Sequence, residues 1–293
     1  MWTAWILGSA FFLALYDLAK KASVKENAVL PVLLFSTFCG SLGFTAWMAA
    51  RGVLPSLLAE TDGRVLAFGL SKSLIVGTSW IFTFCGLRTL PISIATPIRA
   101  SAPALVFLFA IFLYGEIPSV VQGAGMLTVF GGYFAFSWAG KHEGIDFLRN
   151  RAVWCAVAGA FFSAISAVWD KYVFQVANGP REAVQLVFQG GLVFFYGAVL
   201  LAQRGLRLRH DHFEWRWTIP LIGLLLALAD WLYFRSISFP DVPISVASLM
   251  RRFSVVITFV LGAKFFRETN LRRKALALAA ILAGVALLAF KSS

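Results

Sequence analysis

Charged residues are scarce in this chain: of 293 residues only 14% are Asp, Glu, Lys or Arg, against about 25% in ordinary soluble domains. With 59% hydrophobic residues and a mean hydropathy of +0.79, that scarcity excludes a soluble domain. Acidic residues number 14 and leave a net charge of +12. The basic excess punctuates apolar runs instead of forming one patch, so it marks membrane loops and not a nucleic-acid partner. The three cysteines, Cys39, Cys85 and Cys155, are odd in number and lie inside apolar stretches, which excludes a disulfide framework. His210 and His212 flank Asp211 in an arginine-rich loop without further ligands, so no metal is expected there. P-loop, GxSxG, HExxH and paired-carboxylate motifs are absent. Neither an enzyme nor a cofactor is indicated. The first apolar stretch lacks a basic leader and a small-residue cleavage pattern, and reads as a retained span.

What the chain has in abundance is long apolar runs. They fall at about 2–20, 28–50, 65–87, 90–114, 118–139, 152–175, 183–203, 217–236, 242–266 and 272–290. Each is about the ~20 residues that a membrane-spanning helix needs. Without period-two alternation, such runs satisfy their backbone in lipid only as helices. The expected fold is all-α and integral to a membrane, with ten transmembrane helices.

The chain also repeats itself. Phe11, Phe12 and Lys21 recur as Phe161, Phe162 and Lys171, offset by 150, and Trp80 recurs as Trp231, offset by 151. The segment Pro91 to Glu116 aligns without gaps on Pro243 to Glu268 at offset 152, and Gly132 returns as Gly284. A collinear series of this kind indicates a five-plus-five duplication. Because five is odd, the second half enters the membrane from the opposite side, giving two inverted five-helix repeats, 1–140 and 152–293, joined by a loop at 141–151. Inverted repeats are typical of secondary transporters, with the site near the midplane between them.

Two such halves, each with a fourth helix ending in an acidic corner (Gly115-Glu116 and Arg267-Glu268) and a fifth helix rich in small residues, resemble the EamA-type drug/metabolite transporter superfamily over essentially the whole chain. That resemblance implies transport of amino acids, sugars, nucleotide sugars, phosphorylated metabolites or drugs. The stretch SLMRRFSVVI is also similar, over about ten residues, to the ninth helix of plastid phosphate translocators. There a Lys-Arg pair grips the phosphate, and Arg251 and Arg252 stand at its positions.

Ionisable side chains within spans are expensive and mark function by default. Lys72, Arg99, Asp230, Arg251 and Arg252 qualify. Arg99 lies about 15 Å into its run, near the middle of a ~30 Å core, and Arg251 holds the same place in the other half. Guanidinium forks match carboxylate or phosphate two bonds at a time. Arg99, Arg251, Arg252 and Lys72 are therefore the expected anion ligands, Trp80, Trp231, Tyr16 and Tyr233 the walls, and Asp230 a proton carrier. The alternatives are internal pairing, such as Arg252 with Asp230, a snorkelling Lys72, and aromatics that only pack. Asp17, Lys20, Lys21, Asp170 and Lys171 stand near run ends and read as interfacial anchors.

Fifteen Lys and Arg residues fall in the loops of one face and six on the other. By the positive-inside rule this puts both termini outside, whereas the family resemblance implies both inside. The sequence thus suggests a multi-pass secondary active transporter of the cell (inner) membrane. It would move a small organic anion bearing phosphate or carboxylate by alternating access, with protons or a counter-substrate as partners, as a monomer or homodimer. An exporter of amino acids or other zwitterionic or neutral metabolites, and a flippase for a phosphate-bearing lipid, are the alternatives within transport. A lipid-acting membrane enzyme, with His142, His210 and His212 on one face, is the rival of another class.

Overall fold

The computed structural model describes every residue except 1, 93, 96–97, 99–101, 103–104, 106–108, 110–118, 142–147, 207–211, 238–250, 252, 267–270 and 290–293. The described chain is helical and contains no strand. In order, the helices are α1 (Trp2–Val24), α2 (Val29–Ala50), a short α3 (Leu54–Ala59), α4 (Gly63–Thr89), α5 (Val120–Lys141), α6 (Arg151–Lys171), α7 (Arg181–Gly205), α8 (Thr218–Ile237), α9 (Phe253–Phe265) and α10 (Leu271–Ala289). A π-helical turn, Tyr172–Val176, extends α6. Between α4 and α5, Ile92, Ile94, Ala95, Ile98, Ala102, Leu105 and Phe109 are helical as well. Val29–Ala50, Gly63–Thr89, Arg151–Phe174 and Arg181–Gly205 are long and apolar enough to cross a membrane, and Thr218–Tyr233 and Phe253–Phe265 are shorter apolar helices.

The helix ends follow local chemistry. Asp62 caps α4 by accepting from the Val65 amide at 2.8 Å, and Asn150 caps α6 by accepting from Ala152 at 2.9 Å. α4 stops at Thr89, just ahead of Leu90, whose backbone is extended as a residue before proline requires. Two features depart from the sequence reading. α1 continues to Val24 because Asp17, Lys20 and Lys21 are buried rather than interfacial, and the connection after α2 contains α3.

Contacts fix the helix directions. Ser23 meets Thr218 at 2.6 Å and the Ser9 hydroxyl donates to the Ala229 carbonyl at 2.7 Å, which lays α8 antiparallel on α1. Ser79 donates to the Gly159 carbonyl at 2.7 Å and Lys72 pairs with Asp170 at 2.6 Å, which lays α6 antiparallel on α4. The Lys21 Nζ donates to the Leu87 and Leu90 carbonyls at 2.7 and 2.6 Å, bringing the C-terminal ends of α1 and α4 together. α1 and α6 therefore point in opposite directions. α2 runs parallel to α8 through Phe35 with Trp215 and Trp47 with Trp231, and α7 parallel to α4 through Gly69 beside Val187 and Gly77 beside Phe195.

The pairings exchange with one another: α1 on α8 answers α6 on α4, α2 on α8 answers α7 on α4, and α5 packs on α10. Small residues permit the close crossings. A Cβ on Gly223 would overlap the Ser36 carbonyl, and one on Gly132 or Gly284 would meet Ile281 or Val129 at 2.6 and 2.7 Å. Those last two contacts are each other's image at offset 152. The corners after α1 and after α6 each contain a non-glycine residue with positive φ, Glu26 (55°) and Asn178 (50°), again 152 apart.

Candidate functional site

A cavity of about 340 Å³ lies among α1, α4, α6, α7, α8 and the start of α9, within the ~300–1,000 Å³ range of small-molecule sites. α1 contributes Tyr16 and Lys20; α4 contributes Lys72, Ser79, Trp80 and Thr83; α6 contributes Ser163, Ser166 and Asp170. Phe188 comes from α7, Asp230 and Tyr233 from α8, and Arg251 and Ser254 from the head of α9.

Among the described residues three cations reach this wall, and each meets both a carboxylate and an aromatic ring. Lys20 pairs with Asp17 at 3.0 Å and sits 4.4 Å from the Tyr16 ring centre. Lys72 pairs with Asp170 at 2.6 Å and sits 5.0 Å from the Phe188 ring centre. Arg251 donates through Nη2 to Asp230, and its guanidinium lies 4.3 Å from the Tyr233 ring centre. Low dielectric makes an unpaired charge costly here, and each of these cations has a carboxylate beside it. Pairing does not use up every donor, because the Arg251 Nε is buried without a hydrogen-bond partner.

A smaller pocket adjoins the main one and shares Trp80, Phe188 and Asp230 with it. Ser36, Thr37, Ser41 and Gln189 add polar groups, and the Gln189 Oε1 is buried with no partner. Together the pockets offer hydrogen-bond donors and acceptors on an aromatic, partly charged wall. Among the described residues no cluster of His, Cys, Asp and Glu is arranged to hold a metal ion.

The structure therefore brings Tyr16, Lys72, Trp80, Asp230, Tyr233 and Arg251 to one cavity. Trp231 is not on its wall. It packs edge-on against Trp5 and Trp47, with ring centres 5.9 and 4.6 Å away. Arg99 and Arg252 lie outside the described residues. Sequence reasoning missed Lys20 and Asp170 as cavity residues, and missed Asp17, Ser163, Ser166 and Gln189 entirely or took them for anchors. One signal was available: Ser163, Ser166 and Asp170, at spacings of three and four, mark a single polar face of α6.

Compared with known proteins, the chain matches the EamA-like transporter family twice, at residues 1–138 and 150–290. One solved structure, "Crystal structure of protein", superposes with a TM-score of 0.62 at 19% identity, over 96% of this chain and 94% of its own. At that identity it shows a shared fold. No curated protein matches in sequence.

Proposed function

The chain belongs to the EamA-like transporter family, and from that premise we propose that it is a secondary active transporter for a small organic anion bearing carboxylate or phosphate. The family consists of membrane transporters of small solutes and not of enzymes. The finer reading is alternating access between two inverted five-helix halves around one shared site. It is supported by the double family match, the opposite directions of α1 and α6, and the exchange of helix pairings at offsets of 150–152.

Arg251 carries the anion reading: a guanidinium on the cavity wall, bound to Asp230 through Nη2 and with a buried Nε donor to spare. Protonation of Asp230 removes the charge that holds Arg251 and leaves the fork for an incoming oxyanion. Proton and anion then bind together, and the pair reforms when both leave. Lys72, Trp80, Tyr16 and Tyr233 complete the binding surface. Arg99 is proposed as a further ligand on its match to Arg251 in the other half, and Arg252 on its place beside Arg251. A second reading, a zwitterionic metabolite such as an amino acid, is favoured by one observation: each described cation on the wall already has a carboxylate beside it.

Melting temperature in detergent, measured against a panel of phosphates, carboxylates, amino acids and sugars, separates the two, since a ligand of the folded state stabilises by mass action. Organic anions are expected to raise it in the parent and to lose that effect in Arg251→Gln. Stabilisation by zwitterions alone would replace the anion reading with the second one.

A further inference from the structure

Outside the cavity, each membrane face carries an arginine that ties one half of the chain to the other. On one face Arg216, just ahead of α8, donates through Nη1 to the Ala22 and Lys25 carbonyls at 2.8 and 2.7 Å. Both acceptors lie at the end of α1, where carbonyls have no partner in the helix. On the other face Arg64, at the start of α4, donates through Nη2 to the Ala177 carbonyl at 2.9 Å. That acceptor follows the π-helical turn at the end of α6 and is likewise beyond helical pairing. Shifting Ala177 back by 152 gives Lys25, and shifting Arg64 forward by 152 gives Arg216. The two ties are thus the same contact, made once by each half on opposite faces.

They differ in reinforcement. Beside Arg216, Asn27 donates to the Glu214 carbonyl at 2.8 Å and accepts from the Glu214 amide at 2.9 Å, and the Ala28 amide donates to the His212 carbonyl at 3.1 Å. Beside Arg64, the Trp169 indole donates to the Phe68 carbonyl at 3.4 Å, and the exposed Arg51 stands 3.9 Å from Glu182.

We infer that Arg216 and Arg64 are the paired gate latches of this transporter: each holds the mouth of the cavity shut on its own face and releases when the site opens there. Opening a face requires the corner after the first helix of one half to part from the third helix of the other, and these are the bonds that span that gap. Neither arginine lines the cavity, so both act by position rather than by touching substrate. With more bonds on its face among the described residues, the Arg216 latch is the stronger. The inference rests on alternating access but not on the identity of the substrate.

The test uses the full chain with Cys39, Cys85 and Cys155 replaced by Ala and one reporter in the cavity, Ser166→Cys. A membrane-impermeant maleimide is applied to sealed vesicles of each orientation. Arg216→Gln is expected to raise labelling from the Arg216 face by about tenfold and to lower it from the other, the order expected when charge-assisted bonds of a closed state are lost. Arg64→Gln should do the reverse, with a smaller amplitude. Arg216→Lys, which keeps the charge but not the two-pronged fork, should fall between. The double variant should return toward the parent ratio, whereas unfolding would raise labelling from both faces in every variant. Shifts in the same direction for both single variants, or no shift in either, would overturn the latches while leaving alternating access standing. Labelling from one face only in all proteins would take down both.

Discussion

The corner between α1 and α2 and the corner between α6 and α7 are one design used twice, yet they are held differently. Both contain a residue with positive φ, Glu26 and Asn178, 152 positions apart. The first is tied by Arg216 and by a two-way amide exchange between Asn27 and Glu214, while the described arginine bond on the second is that of Arg64 to Ala177. The ion pairs of the cavity diverge likewise: Lys72 reaches from α4 to α6, and Arg251 from α9 to α8. The backbone keeps the correspondence between the two corners. Side chains break it, and on the proposed mechanism they decide which face closes more firmly and where a substrate charge is met.

The sharpest break in that comparison lies in the helix crossings. At the α2–α8 crossing a Cβ on Gly223 would overlap the Ser36 carbonyl, which is backbone and cannot yield, whereas on Gly191 at the α4–α7 crossing it would meet the Ser73 hydroxyl, which can. Gly223→Ala is expected to cost about 3 kcal/mol or more, at the upper end of overpacking penalties, and Gly191→Ala about 1 kcal/mol. Gly190→Ala, with nothing within 4 Å, should be neutral or slightly stabilising through helix propensity. Thermal unfolding of the three variants in one detergent gives the ranking.

Next comes the ion pair held by the second half. Arg251→Gln is expected to weaken binding of the stabilising anion by about tenfold, roughly 1.4 kcal/mol, while Lys72→Gln weakens it less, because an ammonium is a point charge without the two-pronged fork of a guanidinium. Titration of the melting temperature with ligand measures both. Smaller again is the structural coupling of Lys72 with Asp170. Asp170 is about one-third exposed, so screening holds the coupling in a Lys72→Met, Asp170→Asn double-mutant cycle to about 1 kcal/mol.

The smallest effect concerns pH at the Arg216 latch. The hydrogen bond and charge of Arg216 hold the Glu214 carboxyl below its ordinary value. A depressed folded-state pKa contributes stability that is present above the unfolded value and lost as pH falls through the folded one. Glu214 is exposed, so the change should be slight: labelling from the Arg216 face rises only under acidic conditions, and Glu214→Gln removes that rise.

Much of the architecture was legible because its signals are local. The runs at 28–50 and 65–87 became Val29–Ala50 and Gly63–Thr89, since apolar length alone dictates a spanning helix. The repeat was legible from the offsets of Trp80 with Trp231 and Gly132 with Gly284. Asp17 and Lys20 were misplaced because a charge near the end of an apolar run reads as interface, whereas here their pairing along α1 is buried against the Phe84 ring of α4. Symmetry misled at Trp231 as well: its image Trp80 lines the cavity, but Trp5 and Trp47 draw Trp231 into a separate aromatic cluster. Arg64 and Arg216 carried no signal at all, since their acceptors are backbone carbonyls far along the chain.

We propose that the Asp230–Arg251 pair binds the substrate and couples it to a proton. Protein reconstituted in liposomes, given the anion that stabilises it and an imposed pH gradient, should accumulate that anion against its concentration gradient. Asp230→Asn should abolish the accumulation while anion exchange continues. Accumulation in the parent that ignores the pH gradient, or that survives in Asp230→Asn, would contradict the account.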